Sequence, residues 1–299
     1  MFFRSNLLYV SSFILASIVS FSVTADIDNI PRQGIKTITL EDAINVSDTI
    51  EELKFELEKQ GFIIPLTVNH SGAAASIDLD LAPNQVIFAR PPKFLEKRLL
   101  RKSDTIGLDL PLKILVFEDG AGSIKLSVNT LGYLIDRHNI GMRDFVLRMT
   151  NKLIEQFSTS DDEGNGLISI ESLQSVDDTV QSLQDAISVN PAVRIPLVLD
   201  YENSNTKRRH GKYQKSFPIL IVFGNPNIGT PLMQADPRIG IDLPLKFLVW
   251  KDQQDQVNIT YNDPQFIAGR INLQGQNERL DAIANTLKKL ALEGAGKNP

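Results

Sequence analysis

The chain has 299 residues, a net charge of −5 and no cysteine. Its length predicts about two domains, and its 42% hydrophobic and 22% charged residues are typical of folded soluble proteins rather than collagen, coiled coils or disordered chains. The lack of cysteine excludes disulfides, thiolate catalysis, iron–sulfur clusters and cysteine-bound zinc. The acidic balance gives no indication of a nucleic-acid partner.

Residues 1–25 are predicted to form a secretory signal peptide. Arg4 supplies the positive charge, an apolar run extends from Leu7 to Val23, and the small residue Ala25 precedes the predicted cleavage site. An uncleaved membrane anchor is the alternative, but the run is at the short limit for a membrane span and contains five serines. We therefore expect a periplasmic or secreted protein with no transmembrane segment after cleavage.

Two regions of the chain repeat one another. The segment Gly107–Asp119 recurs as Gly240–Asp252, with nine of thirteen positions identical and no gap between the two segments. Upstream, Ile38–Leu53 aligns with Ile168–Leu183 at a nearly equal offset. A period this long does not fit a solenoid repeat, so the sequence predicts a tandem duplication of a whole domain. The predicted boundaries are residues 34–158 for the first copy, 159–166 for an acidic linker and 167–293 for the second copy.

Each copy carries the same predicted elements in the same order. A short strand comes first, and a helix follows that Ser47 in copy one, or Asp177 in copy two, is predicted to cap. Gly61 ends the copy-one helix. Four strands and a closing helix come next; in copy one they are predicted at residues 62–69, 86–89, 114–118, 123–129 and 145–157. This β-α-β4-α order predicts an α+β domain with one mainly antiparallel sheet backed by helices.

Three motifs of copy two resemble one family. They are Phe223–Gln234 (FGNPNIGTPLMQ), Gly240–Lys246 (GIDLPLK) and Tyr261–Pro264 (YNDP). In this order they are similar to the domain of unknown function 302 family, and with both copies the resemblance covers nearly the whole mature chain. The resemblance implies a fold like that of the TATA-binding protein and frequent homodimers. It implies no established reaction and no DNA binding.

The two copies have diverged from each other. Copy one replaces the Gly-Asn-Pro loop with residues 89–100 but keeps His70 and the pair Arg137-His138, both of which resemble family features. Copy two keeps the loop but has Tyr201 near the His70 position and Ile271 opposite His138. Neither copy holds the full set. Either the copies share one composite site across their interface, or each retains only what its packing needs; we favour packing.

The loop Gly224–Thr230 is a candidate ligand site. Its Gly-x4-Gly spacing is that of a phosphate loop, but the lysine that such a loop requires is replaced by Thr230. We expect Gly224 and Gly229 to permit tight turns and Asn225 to cap one of them. A small polar or anionic ligand bound by the loop is the alternative.

Two Asp-Lys pairs occupy equivalent positions in the copies. Asp109 and Lys113 correspond to Asp242 and Lys246, with a proline between the members of each pair. The interpretation we favour is a turn leading into a core strand, in which the aspartate accepts backbone N–H groups and the lysine follows the solvent face. The alternative is a charged rim on a cleft.

The remaining polar residues give no predicted metal or cofactor site. The three histidines lack metal-ligand spacing, and we expect His70 in a turn or on the surface. Residues 161–172 resemble a calcium loop, but Ser172 stands where the bidentate glutamate is needed. Trp250 is expected to be buried or half-buried in a strand. No cofactor is expected.

Two basic clusters are candidate contacts for lipid head groups or an acidic envelope partner. One is Lys207–Lys212, predicted at a hairpin tip, and the other comprises Lys97, Arg98, Arg101 and Lys102.

The sequence therefore favours an exported, non-catalytic binding or interaction protein. We expect a monomer with internal pseudo-twofold symmetry, equivalent to a covalently linked dimer of the family. The alternative is an enzyme with a composite site, in which His70 or Asp109 of one copy meets Asn225, Lys246 or Asn262 of the other.

Overall fold

The computed structural model describes residues 34–140, 165–202 and 216–298. The predicted signal peptide, the predicted helix 145–157, most of the acidic linker and the basic segment Lys207–Lys212 lie outside these residues. Within the described ranges, no helix combines the length and apolar character needed to cross a membrane.

Copy one forms a five-stranded antiparallel sheet with the strand order β1-β5-β4-β3-β2. Its strands are β1 (Ile35–Thr39), β2 (Ile63–Asn69), β3 (Asn84–Arg90), β4 (Leu112–Glu118) and β5 (Ile124–Asn129). Its described helices are α1 (Val46–Lys59), α2 (His70–Ala75), α3 (Lys93–Lys102) and α4 (Leu131–Arg137). A 3₁₀ segment, Thr105–Leu108, precedes β4.

Copy two repeats this arrangement, with the strand order β6-β10-β9-β8-β7. Its strands are β6 (Leu167–Glu171), β7 (Arg194–Asp200), β8 (Ile219–Gly224), β9 (Leu245–Lys251) and β10 (Val257–Asn262). Its described helices are α5 (Val176–Ser188), α6 (Pro226–Ala235), α7 (Pro264–Gly269) and α8 (Asn277–Gly294), and a 3₁₀ segment spans Pro237–Asp242. The predicted α+β class, with two tandem antiparallel sheets backed by helices, is confirmed.

The loop that carries the Gly-Asn-Pro motif is helical, contrary to the prediction of tight turns. Helix α6 begins at Pro226, whose fixed φ suits the first helical position. The side-chain oxygen of Asn225 accepts the N–H of Asn227 and caps the helix. The capping role predicted for Asn225 is thus observed, but in a helix.

The first helix of each copy begins at a different cap from the one predicted. Asn45 caps α1 and Ser175 caps α5, each two residues before the predicted Ser47 and Asp177, and each accepts the backbone N–H of an aspartate. The predicted helix end at Gly61 is confirmed, because this residue has a φ of +84° directly after the C-cap.

The two copies pack through their central strands. The 3₁₀ segment of each copy lies against the middle strands of the other, β9 and β8 in one direction and β4 and β3 in the other. One hydrophobic cluster extends across this interface and contains buried residues of both copies, among them Leu108, Leu115, Phe247 and Leu248. A second cluster lies between α1 and the copy-one sheet.

Candidate functional site

A cavity of about 1040 Å³ opens between the helices and the sheet of copy two. We call it the copy-two cavity. Its walls come from the ends of α5 and β8, from α6 and from α8, and they are mostly apolar. Residues 66–70 and Ala73 of copy one complete the wall. The cavity is therefore composite, and its size lies at the upper end of the range for small-molecule sites.

Copy one has a cavity at the equivalent place, but it measures only about 60 Å³. The two linings correspond through the repeat, since Leu95, Leu99 and Ile106 of copy one align with Ile228, Leu232 and Ile239 of copy two. The duplication therefore produced two related cavities, and only the one in copy two is large enough for an organic molecule.

His70 lies in the wall of the copy-two cavity and is buried, contrary to the expected turn or surface position. It begins α2, and its Nε2 lies 3.3 Å from the carbonyl oxygen of Gly240 in copy two. Burial lowers the pKa of His70 to about 4, so the ring is neutral at physiological pH.

The predicted loop residues line the same cavity. Asn225, Gly229 and Thr230 all contribute to its wall. Thr230 is 1% exposed, and its hydroxyl has no hydrogen-bond partner among the described residues. A buried, unpaired hydroxyl is costly, so it marks a place where a ligand group would be stabilised.

A second polar feature, which we call the charge cluster, lies buried between the copies. It consists of Asp109, Lys113, Arg137, Asp242, Lys246 and Arg270. The ammonium of Lys113 lies 3.0 Å from Asp109 and 2.9 Å from Asp242, so one lysine joins the carboxylates of both copies. The predicted solvent-facing position of Lys113 and Lys246 is wrong, because both are 3% exposed.

Two arginines join the copies in a reciprocal way. Arg137 donates to Asp109 at 2.7 Å and crosses to Asn262 at 2.8 Å. Arg270 donates to Asp242 at 2.7 Å and crosses to Asn129 at 2.5 Å. Both aspartates thus accept from side-chain cations, where backbone N–H donors were expected.

Lys246 differs from its equivalent, Lys113. Its Nζ is buried and has no hydrogen-bond acceptor among the described residues. Burial and the neighbouring charge of Lys113 lower the pKa of Lys246 well below its ordinary value. Burial also opposes the charge of Lys113, but attraction to Asp242 and Asp109 raises the pKa of Lys113. One lysine of the pair is therefore held charged and the other is driven towards the neutral amine.

The carboxylates of the cluster remain ionised although they are fully buried. Burial alone would raise their pKa values, but Lys113 and Arg137 hold the pKa of Asp109 well below its ordinary value. Lys113 and Arg270 do the same for Asp242. His138 adds a hydrogen bond from Nε2 to Asp109 at 2.8 Å. Buried opposite charges at these distances are mutually satisfied, which is typical of a structural element.

The structure divides the predicted site residues into two groups. His70, Asn225, Gly229, Thr230 and Asp242 line the copy-two cavity. The others lie in or against the charge cluster: Asp109, Lys113, Lys246 and Asn262. Asp242 belongs to both groups. Whether any of them binds a ligand stays a prediction.

Sequence reasoning did not select the two arginines of the cluster as site residues. Arg137 and Arg270 occupy equivalent positions at the same offset as the Asp-Lys pairs, as do Asn129 and Asn262. The alignment that places Ile271 opposite His138 also places Arg270 opposite Arg137, so the repeat itself contains this signal. They lie after the last strand of each copy, where α4 and α7 end.

Trp250 and Ser172, two residues of minor predictions, lie among the described residues. Trp250 is half-buried on β9, as expected, and its indole N–H donates to Thr260 at 2.8 Å. Ser172, which stood at the last position of the calcium-loop resemblance, is buried against Thr179. Within the described ranges, no group of three metal-ligating side chains comes together.

Curated relatives with detectable similarity include fluoride-specific ion channels from three Brucella species. FluC 1 of Brucella suis and FluC 1 of Brucella abortus are each 34% identical to this chain over 106 residues. The match covers 35% of this chain and 41% or 38% of those channels, so this chain spans about two fifths of their length.

One solved structure is also similar to part of the chain. The crystal structure of an uncharacterized conserved DUF302 protein from Bacillus stearothermophilus matches with a TM-score of 0.36 and 13% identity, over 43% of this chain and 97% of the other.

The family comparison covers most of the sequence. The model of the domain of unknown function DUF302 matches residues 36–157 and again residues 168–292, which are the two copies found from the repeat. The chain therefore belongs to the DUF302 family and contains two tandem copies of its domain.

Proposed function

We propose that this chain is a non-catalytic binding protein with one site for a small organic ligand in the copy-two cavity. The observation that carries the proposal is the cavity itself, about 1040 Å³ in volume and lined mainly by apolar side chains. Such cavities with a few inward polar groups are the usual form of ligand sites. The apolar lining favours an organic ligand over the small polar or anionic molecule that the sequence suggested, and it does not suit a hydrated ion such as fluoride.

The divergence of the copies supports a single site per chain. Copy two retains the Asn225–Thr230 segment of the family motif and has the large cavity, whereas copy one has lost the segment and has a cavity of about 60 Å³. Copy one supplies His70 to the copy-two cavity instead. Each copy thus contributes a different part to one site.

The charge cluster supports a binding role rather than catalysis. Its two carboxylates are each paired with two cations, and its members are nearly inaccessible to solvent. An enzyme using Asp109 or Asp242 as a general base would have to break these ion pairs first. The enzyme alternative of the sequence analysis therefore has less support than ligand binding.

The reciprocal contacts of Arg137 and Arg270 support a covalent pseudo-dimer. In a twofold interface each contact occurs twice, with the partners exchanged, and the two Arg-Asn contacts follow this rule. The proposal includes export through cleavage after residue 25, supported by the signal-like N-terminal sequence. The mature protein should elute and scatter light as a monomer, whereas a stable dimer would contradict the pseudo-dimer.

Binding of N-phenyl-1-naphthylamine, a fluorescent apolar probe, tests the proposed function. Ala186 lies at the cavity on α5, and Ala186→Trp should narrow the cavity and weaken the binding of the probe. The matched control is Glu56→Trp, at the equivalent position on α1, which should bind the probe like the unmodified protein. The proposal would be contradicted if the probe did not bind the unmodified protein, or if Ala186→Trp and Glu56→Trp weakened probe binding equally.

A further inference from the structure

Three hydrogen-bonding residues of the copy-two cavity lie on or next to two helices that pack against each other. They lie where α2 of copy one packs against α6 of copy two, with His70 beginning α2, Asn225 capping α6 and Thr230 in its first half. The wall formed by α5 and α8 has a buried apolar surface made of Ile187, Leu280, Ile283 and Leu287. Helix α8 also lines the cavity with exposed polar side chains: Glu278, Arg279, Thr286 and Lys289. The cavity therefore has a buried apolar surface on α5 and α8 and a polar group on α2 and α6, which we call its polar end.

His70 presents an acceptor at the polar end. Its Nε2 faces the carbonyl of Gly240, which can only accept, so Nε2 carries the proton. In the neutral ring Nδ1 then has a free lone pair. The group that meets Nδ1 must consequently be a hydrogen-bond donor.

Asn225 and Thr230 add donors. The oxygen of Asn225 is used to cap α6, which leaves its amide N–H groups without an acceptor among the described residues. The hydroxyl of Thr230 is also unpaired within the described ranges. A hydroxyl or primary amide of a ligand both donates and accepts, and therefore fits this set of groups.

We propose that the copy-two cavity binds an uncharged amphiphile, with its hydroxyl or amide at His70, Asn225 and Thr230 and its apolar chain along α5 and α8. This inference rests on the proposed ligand-binding function and names the chemical class of the ligand. The polar group replaces water lost from these residues, and the chain contributes burial of apolar surface.

A carboxylate head fits this end less well. It cannot donate to Nδ1 of His70, whereas a hydroxyl or primary amide can. The lining also contains three exposed cations, Arg279 and Lys289 on α8 and Arg194, which pairs in register with Gly224. The guanidinium of Arg194 is exposed and donates to the carbonyls of Pro191 and Val193.

Displacement of bound N-phenyl-1-naphthylamine at pH 8 tests the ligand class. We expect 1-decanol to displace the probe at a concentration about tenfold lower than decanoate or decyl methyl ether, because only the alcohol is uncharged and can also donate. Equal potency of all three, or tighter binding of decanoate, would overturn the inference while leaving ligand binding intact. Failure of the probe to bind the unmodified protein would instead overturn the proposed function and this inference together.

Two variants locate the polar end. Asn225→Asp keeps an oxygen to cap α6 but removes the amide donors, and Thr230→Val keeps the side-chain shape but removes the hydroxyl. Each should weaken 1-decanol binding roughly 3- to 10-fold and weaken binding of the mainly apolar probe by a smaller factor. Equal weakening of 1-decanol and probe, or unchanged 1-decanol affinity in both variants, would contradict the assignment.

Discussion

The ammonium group of Lys113 lies 2.9 Å from the carboxylate of Asp242, so a lysine of one copy neutralises an aspartate of the other. The equivalent lysine, Lys246, is buried close by without an acceptor among the described residues. Two residues that the duplication made equivalent thus have opposite energetic roles. Lys113 stabilises the interface between the copies, whereas burial of Lys246 without an acceptor lowers the free energy of unfolding.

This asymmetry predicts opposite effects of the same substitution at the two lysines. Lys113→Met leaves two buried carboxylates short of a cation and should lower the free energy of unfolding by about 3–5 kcal/mol. Lys246→Met removes an unpaired buried amine and should raise it by about 1–3 kcal/mol. Urea denaturation of the two variants beside the unmodified protein measures both. Similar destabilisation by both substitutions would show that Lys246 has a partner of its own.

The lowered pKa of Lys246 predicts a specific pH dependence. The folded state disfavours the charged form, so the folded pKa lies below the ordinary value of 10.5 and the unfolded chain binds the proton more tightly. The contribution of this group to stability is therefore present above pH 10.5 and is lost as the pH falls. The stability advantage of Lys246→Met should be larger at pH 7 than at pH 9.5, as measured by urea denaturation at both. If the stability gained by Lys246→Met were larger at pH 9.5 than at pH 7, the pKa of Lys246 would not be lowered in the folded state.

His70 should destabilise the protein in mild acid. Its folded pKa of about 4 lies below the ordinary 6.5, so its contribution is complete above pH 6.5 and is lost as the pH falls towards 4. His70→Gln has no charge to gain and should lose less stability over this window than the unmodified protein. Thermal unfolding at several pH values between 7 and 4 gives the comparison. If both proteins lost the same stability between pH 7 and pH 4, protonation of the His70 ring would not destabilise the folded state.

Two equivalent glycines set how closely the copies approach. A Cβ at Gly107 would lie 2.9 Å from Leu248, and a Cβ at Gly240 would lie 2.8 Å from Asn84, in each case across the interface. Gly107→Ala and Gly240→Ala should therefore destabilise the protein by about 1–3 kcal/mol through overpacking. Gly120→Ala is the control, since a Cβ there meets nothing within 4 Å. Equal stability of all three variants would show that the side chains at the interface move to accommodate the added methyl group without loss of stability.

The architecture was predictable because it depends on local patterns and on the repeat. Alternating apolar residues indicated the strands, and Gly61 marked a helix end because a residue with positive φ is needed there. The constant offset between Gly107–Asp119 and Gly240–Asp252 indicated the duplication. Even the capping role of Asn225 followed from its side-chain chemistry, although the helix it caps was not foreseen.

The site depends on long-range packing, which the local sequence does not show. Lys113 and Lys246 look like solvent-facing strand residues until the second copy covers them. The ion pair between Lys113 and Asp242 arises from the interface between the copies. His70 is separated from Thr230 by more than half the chain, and only the packing of α2 on α6 brings both into one cavity.

The most direct test of the central claim is a crystal structure of the protein with 11-bromo-1-undecanol, read from the anomalous signal of bromine. The account predicts one molecule per chain in the copy-two cavity, with its hydroxyl at Asn225 and His70 and bromine between α5 and α8. Bromine in the copy-one cavity, on the outer surface alone, or nowhere in the crystal would contradict it.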